Sequence, residues 1–425
     1  MGNTPGLTLL LVGDVVATRR LHAATHAGHF RRFQALANQA DAVFGNFETL
    51  IHDYESPASH FSGGTWLRAP AAVADDLAEL GFTLMSRANN HAMDFGVPAL
   101  LRTTAELDRA HIAHAGAGRD EAEARTACFA ETASGRVALV SVCSTLAEFM
   151  AATATADGIP ARPGIAPLRF SHAHELPQND FELLKGIATR RGLNPELFGP
   201  DTVFFPPYRF LRGSRHASHT VANPADLGAT VRAVTEARRV ADIVVLSIHS
   251  HDFAGEHETP ADFVTHTAHA CIEAGASLVV GHGPHVLRGL EIYAGAPILH
   301  GLGTFLFQHD NLHRLPADAR HKAGLPAHAS TADIHAASFN SFHEERFRET
   351  AAVLVSFDTN HTALEVTFVP MEIMTTGRWA TRGLPIPASP TAAERILHRL
   401  ATLSAQYECQ LTALDGKATW RRQDC

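Results

Sequence analysis

Cysteine is scarce in this chain and nowhere paired at metal-type spacing: Cys128, Cys143, Cys271, Cys409 and Cys425 make an odd five. A disulfide framework and a thiolate zinc site are therefore not expected, and the thiols read as buried hydrophobes plus one at the terminus. Long apolar runs are missing too, since no window reaches the roughly 18 uncharged apolar residues of a membrane span. The opening "MGNTPGLTLLLVGD" has neither a basic n-region nor a small-residue cleavage site. These absences predict a soluble, cytoplasmic chain. Basic runs are also lacking, as are basic stretches interleaved with aromatics. With a formal charge of −9, a nucleic-acid backbone finds no electrostatic footprint here. No internal repeat or low-complexity linker divides the 425 residues, 45% of them hydrophobic, so one globular domain over 1–425 is expected.

What is abundant is histidine, 28 residues. Many lie in polar surroundings such as "THAGH", "SHAH" and "THTAH", where imidazole is simply tolerated. Others close apolar runs. In "SLVVGHGPHVLRGLEIYAGAPILHGLGTF", Ser277 to Phe305, a buried-looking run ends in two histidines three residues apart.

Apolar runs of strand length recur at Leu7–Asp14, Asp41–Glu48, Phe82–His91, Arg136–Cys143, Asp242–His251, Ser277–Gly283 and Ala296–Gly303. Helical patterns lie between several of them. Val73, Leu77 and Leu80 fall at helical spacing, and a later helix is predicted to open with Thr259 as cap and Pro260 in the first turn. Continuous apolar strands separated by helices predict an α/β core covered on both faces. Ala351–Met374 reads as two strands around the turn "DTNH", which makes the sheet system mixed. Two segments break the pattern: 160–224, rich in Pro, Arg and aromatics, and 309–348, rich in His, Ala and charge. Both are read as inserted substrate walls, because long connections in a compact domain are usually functional. Among Arg68, Arg87, Arg162, Arg169, Arg209 and Arg212, one or two are expected to clamp a carboxylate or phosphate.

The strand ends carry metal-competent residues. They read Gly13-Asp14, Gly45-Asn46-Phe47-Glu48, Asn89-Asn90-His91, His249-Ser250-His251 and Gly281-His282-Gly283-Pro284-His285. In open α/β sheets ligands bind beyond the carboxyl ends of strands, so these side chains are expected to converge. The chemistry suits a dinuclear centre, two cations about 3.5–4 Å apart that activate water. Asp14 and Glu48 would supply anionic oxygen, with Glu48 the bridge; Asn90 would give an amide oxygen, and His249, His282 and His285 nitrogen. His91 is placed as general acid or oxyanion stabiliser, with Asp94 holding its tautomer.

Taken together, GD, N-x-E, A-N-N-H-x-x-D-x-G, a strand-borne His, and G-H-x-P-H-V followed by G-x-G-x-F resemble the CapA family. That family is named for poly-γ-glutamate capsule synthesis and belongs to the calcineurin-like metallophosphoesterase superfamily. The resemblance covers roughly Leu7 to Phe307 and is weak in the middle insertion. It implies a four-layered α/β/β/α sandwich with mixed sheets and a two-metal site. Ligation would fall to Asp14, Glu48, Asn90, His249, His282 and His285, and His91 would be the catalytic histidine. Departures are visible. Val16 stands where the superfamily's Asp-x-His opening has histidine, "GNFE" replaces G-D-x-x-D, and the terminal pair is His-x-x-His. "HSHDFAGEH" adds His251, Asp252 and His257 as further ligands or substrate contacts, and Asn46 is a further ligand candidate.

The expected function is a metal-dependent hydrolase with two divalent ions, Mn, Zn or Fe, acting on an amide, γ-glutamyl-type or other small anionic substrate. The alternatives are phosphoester hydrolysis and a non-catalytic capsule-assembly or binding role.

Overall fold

The computed structural model describes residues 6–194, 198–205, 208–309, 312–338 and 344–422. Cys425 lies outside them. In chain order, the strands that matter for function are β1 (Leu7–Val16), β2 (Ala42–Phe47), β3 (Leu84–Ser86), β4 (Gly135–Cys143), β5 (Ile243–His249), β6 (Leu278–His282), β7 (Thr304–Phe307), β8 (Glu349–Phe357) and β9 (Ala363–Ile373). The helices that pack on these sheets are α1 (Arg31–Ala37), α2 (Ala72–Glu79), α3 (Gly96–Arg109), α4 (Pro224–Arg238), α5 (Asp262–Glu273) and α6 (Pro390–Ala405).

Side chains alternate across a strand, so an apolar strand serves two cores at once. In β1, Leu7, Leu9 and Leu11 join one cluster while Leu10, Val12 and Val15 join another. In β5, Ile243 and Val245 share the first cluster, whereas Val244, Leu246 and Ile248 enter a third. That shared cluster, which also takes Leu139 and Val280, is the interior between two sheets. The outer face of the first sheet is covered by Phe33 and Leu36 of α1, Val73 and Leu77 of α2 and Leu107 of α3. The outer face of the second is covered by Val234 of α4 and Phe263, Ala268 and Cys271 of α5. The result is the expected α/β/β/α sandwich, and Ile396 and Leu400 of α6 pack into the middle layer.

Both sheets are mixed or partly so. The first has ten strands; β1 is parallel to β2 and β7 but antiparallel to β8, which pairs antiparallel with β9 around the expected turn. The second has six, with β4, β5 and β6 parallel. The turn into β7 meets β1 closely. A Cβ on Gly13 would stand 1.8 Å from the Gly303 carbonyl oxygen, and Gly303 itself has φ +71°.

Two local expectations need correction. The run Phe82–His91 is a strand only over Leu84–Ser86, because Arg87 turns inward and the following asparagines fold into a loop held by their own side chains. Thr259 does not cap α5, which starts at Asp262 with Ala261 as an N-cap that makes no side-chain bond. Pro260 is instead bridged to Phe253 in extended pairing, which delays the helix. The insertion at 160–224 folds on itself as a four-stranded sheet with the helix Gln178–Arg190, burying Phe181, Ala188 and Val203 as its own core.

Candidate metal centre

Strand register assembles the site. Asp14 of β1 is paired with Asn46 of β2, and Asn46 with Ser86 of β3. In the other sheet Cys143, His249 and His282 stand level across β4, β5 and β6. The carboxyl ends of both sheets therefore open to the same side, where the packed layers bring them into contact. His282 Nδ1 lies 3.6 Å from Asp14 Oδ1, and His249 Nε2 lies 3.8 Å from Glu48 Oε1.

Two groups of metal-competent atoms form there, and they share Glu48. One is Asp14, Glu48 and His285; the other is Glu48, His249 and His251; within each, the ligand atoms lie within 4.8 Å of one another. Glu48 is fully buried, and neither of its oxygens has a hydrogen-bond partner. Asn90 Oδ1, His249 Nε2, His251 Nε2 and both ring nitrogens of His282 are likewise buried without one. Such a concentration of orphaned donors and acceptors costs stability unless something binds them.

The electrostatics agree. Burial works to raise the Asp14 pKa, but His282 and His285 outweigh it and hold the carboxyl well below its usual range. Glu48 has no such partner, and burial, with the charges of Asp14 and Asp94, pushes it well above. Burial holds His249 far below the imidazole value, and pushes His251 down to about 3. Both rings are therefore neutral, the form that ligates a cation.

Hydrogen bonds orient the set. Asn46 Nδ2 donates to Asp14 Oδ1 at 2.8 Å and lies 3.1 Å from His249 Nδ1. Asn90 Nδ2 donates to the Gly63 carbonyl at 2.9 Å, which turns its oxygen the other way. His285, at φ 58°, places Nδ1 3.0 Å from both Asp14 Oδ2 and Thr304 Oγ1. His91 Nδ1 lies 2.8 Å from Asp94 Oδ2, and Asp94 accepts further bonds from the Leu67 and Gly63 amides. The His91–Asp94 pair is thus clamped, with Nε2 directed toward Glu48 at 3.9 Å.

Above the centre opens a cavity of about 510 Å³ lined by Glu48, Asn90 and His91, by His251, His257, His285 and His309, and by Val16, Leu67, Phe253, Phe307 and Phe347, with smaller residues between. The 309–348 segment contributes His309 and Phe347 to this wall; 160–224 contributes none of the lining residues. None of the six arginines lines it either. Arg87 is spent on Thr104 and the Leu100 carbonyl, Arg162 on the Ala151 carbonyl, Arg169 on Asp226 and Arg212 on Glu182 and Asp201. Arg68 donates to the His52 carbonyl and pairs with Asp53.

The structure sorts the additional candidates. His251 joins a donor group, whereas Asp252 turns away to accept from Ser144 and Ser250 hydroxyls at 3.2 Å. His257 faces the cavity but lies against Phe253, ring centroids 4.3 Å apart. Two contributors had no role assigned from sequence. Asn89 donates to the Phe47 carbonyl and accepts from the His91 amide, tying β2 to the His91 loop, and Thr304 braces His285. The doubled asparagine of "ANNH" was the available signal for the first.

The comparisons with known proteins can be set beside this geometry. The family described as bacterial capsule synthesis protein PGA_cap matches residues 8–309. An uncharacterized protein of Sinorhizobium fredii, y4sH, is 33% identical over 431 residues, covering 96% of this chain and 92% of its own. The PGA biosynthesis protein CapA of Bacillus subtilis is 25% identical over 306 residues, covering 71% of this chain and 63% of its own. A solved structure from Thermus thermophilus aligns with 71% of this chain and 90% of its own at 13% identity, with a TM-score of 0.31.

Proposed function

Since the chain belongs to the bacterial capsule synthesis protein PGA_cap family, we propose that it is a metal-dependent hydrolase that cleaves an amide bond of γ-glutamyl type in a small anionic substrate. The observation that carries this is the pair of donor groups sharing Glu48 beneath a cavity into which His91 projects. The residues fit divalent cations, because the buried Glu48 carboxylate, the Asn90 amide oxygen and the rings of His249, His251 and His282 offer atoms that no hydrogen bond satisfies, and Asp14 adds a second buried carboxylate beside them. Asp14, Glu48 and His285 would hold one ion and Glu48, His249 and His251 the other, with Asn90 and His282 completing the set. His285 and His282 would supply the nitrogen that Val16 does not.

When bound, two such ions lower the pKa of water and stabilise charge that develops on the attacked carbonyl. The protein's own residues do the rest. Asp94 fixes the His91 ring, and His91, at the cavity floor, donates a proton to the departing amine nitrogen. Asn46 and Asn89 hold Asp14, His249 and the His91 loop in register. Val16, Leu67, Phe307 and Phe347 keep the cavity poor in water, which strengthens each of these interactions.

An amide is preferred over a phosphoester because no Lys or Arg is among the lining residues, and phosphate dianions are usually met by such cations. Elemental analysis of the purified chain, followed by turnover of γ-glutamyl-p-nitroanilide against bis-p-nitrophenyl phosphate, tests this. Bound metal with anilide cleavage lost in His91→Gln supports the proposal. Diester cleavage instead would move the substrate class, and metal with neither activity would favour a binding role.

A further inference from the structure

A second cavity, of about 400 Å³, is lined by Asp53, Tyr54, Arg68, His313 and Arg314. It lies behind the same wall as the catalytic cavity. Leu67 lines the catalytic cavity and its neighbour Arg68 lines the second; Phe307 and His309 line the first, and the same segment runs on to His313 and Arg314. Val16, Leu67 and Leu312, with Phe307 and Leu315 against them, form the small apolar cluster of that wall. The residue before Arg68 is also tied to the chemistry, since the Leu67 amide donates to Asp94 at 2.8 Å.

The charge arrangement is unusual for an idle surface. Arg68 and Arg314 both lie against the ring of Tyr54, with Cζ 5.1 Å and 5.3 Å from its centroid. Two guanidiniums gathered on one ring repel each other, and Asp53, paired with Arg68, offsets part of that charge. Among the described residues Arg314 makes no ion pair. Tyr54 is itself held at φ 61°, with its amide donating to His52 Nδ1 at 3.0 Å, so the platform is fixed from below. Arg68 already spends N–H groups on the His52 carbonyl and on Asp53, whereas Arg314, laid on the aromatic face, keeps its N–H edges for a carboxylate, which a planar guanidinium grips through two parallel bonds.

We propose that the Arg68–Tyr54–Arg314 cavity is a specificity subsite that binds an anionic group, the carboxylate of a neighbouring unit, of a substrate held in the catalytic cavity. The inference rests on the γ-glutamyl reading above for the identity of the anion, but the subsite itself requires only a planar or tetrahedral oxyanion. It supplies the cation that the histidine-lined cavity lacks, and it favours substrates with more than one anionic unit. Arg314 is the residue to change, because Arg68 also holds the His52 carbonyl.

The test is equilibrium binding of fluorescein-labelled tetra-γ-glutamate to the full chain by anisotropy. The His91→Gln background is used, with the probe checked intact by mass spectrometry. Arg314→Gln should weaken binding about tenfold with an unchanged melting temperature, Arg314→Lys should fall between, and the uncharged α-amide of the same oligomer should show no Arg314 dependence. Equal affinity with and without Arg314 overturns the subsite. If tripolyphosphate binds in an Arg314-dependent way and the oligoglutamate does not, the anion subsite stands and the γ-glutamyl reading falls. Continued cleavage of the probe counts against the role given to His91, not against the subsite.

Discussion

Glu48 Oε1 and His91 Nε2 face each other across 3.9 Å at the floor of the catalytic cavity. The carboxylate is buried and without a hydrogen bond, while the ring is clamped from behind by Asp94. A group that must be charged but is costly to charge alone thus adjoins one that is held to move a proton. The two should respond differently to mutation, and that difference separates holding a cation from chemistry.

Glu48→Gln keeps the shape and removes the shared charge. Metal content should fall by at least one atom per chain in elemental analysis. Because a ligand that binds only the folded state stabilises it, by about 4 kcal/mol at a thousandfold excess over Kd, chelation should lower the wild-type Tm. The variant's Tm should change much less.

His91→Gln should leave metal content intact and reduce kcat by roughly 10²–10⁴-fold, the range for a lost general acid. Asp94→Asn retains the ring but loosens its orientation, so a smaller loss, about 10–100-fold, is expected with KM little changed. Steady-state kinetics beside elemental analysis would decide; loss of metal in either variant would refute the division of roles.

Acid should destabilise the fold through histidines away from the centre. Burial holds His52 and His114 at about 4, against 6.5 in the unfolded chain. Between these values the unfolded state binds more protons. The stability they contribute is therefore complete above pH 6.5 and is lost as pH falls toward 4. From pH 6.5 to 5 each contributes about 1–2 kcal/mol. Urea midpoints at pH 7.5 and 5 should show the fall, and His52→Asn should make it shallower; an unchanged slope would remove His52 from the account.

Arg288 is 2% exposed and spends its guanidinium on backbone, donating to the His257 carbonyl at 2.9 Å and the Asp252 carbonyl at 3.2 Å. It thereby fixes the loop that carries His251. Arg288→Ala should cost about 2–4 kcal/mol, since carbonyls are left buried and a cavity opens. Faster hydrogen exchange over residues 251–258 should accompany it, and unaltered exchange there would contradict the anchoring role.

The layered core was legible because it depends on period-two apolar runs, and β1, β4, β5 and β6 each serve two cores as their sequences require. The residues at their ends were legible for the same reason: a strand that stops being apolar at Asp14, His249 or His282 announces where it leaves the interior. Loops obey no such period. Whether His251 turns toward Glu48 and Asp252 away from it depends on Ser144 and Thr145, which reach them from the end of β4, and on Ser250 within the loop itself.

By itself the sequence determined which residue types stand at the strand ends and that those strands are buried on both faces, since both follow from local pattern. Only the tertiary structure decided which side chains join Glu48 on each side, Asp14 and His285 in one group and His249 and His251 in the other. It also decided that Arg162, Arg169 and Arg212 bond elsewhere, and that Arg68 and Arg314 meet over Tyr54. Those outcomes depend on parallel register and on the packing of one sheet against another, which bring together groups hundreds of residues apart and leave no trace in spacing along the chain.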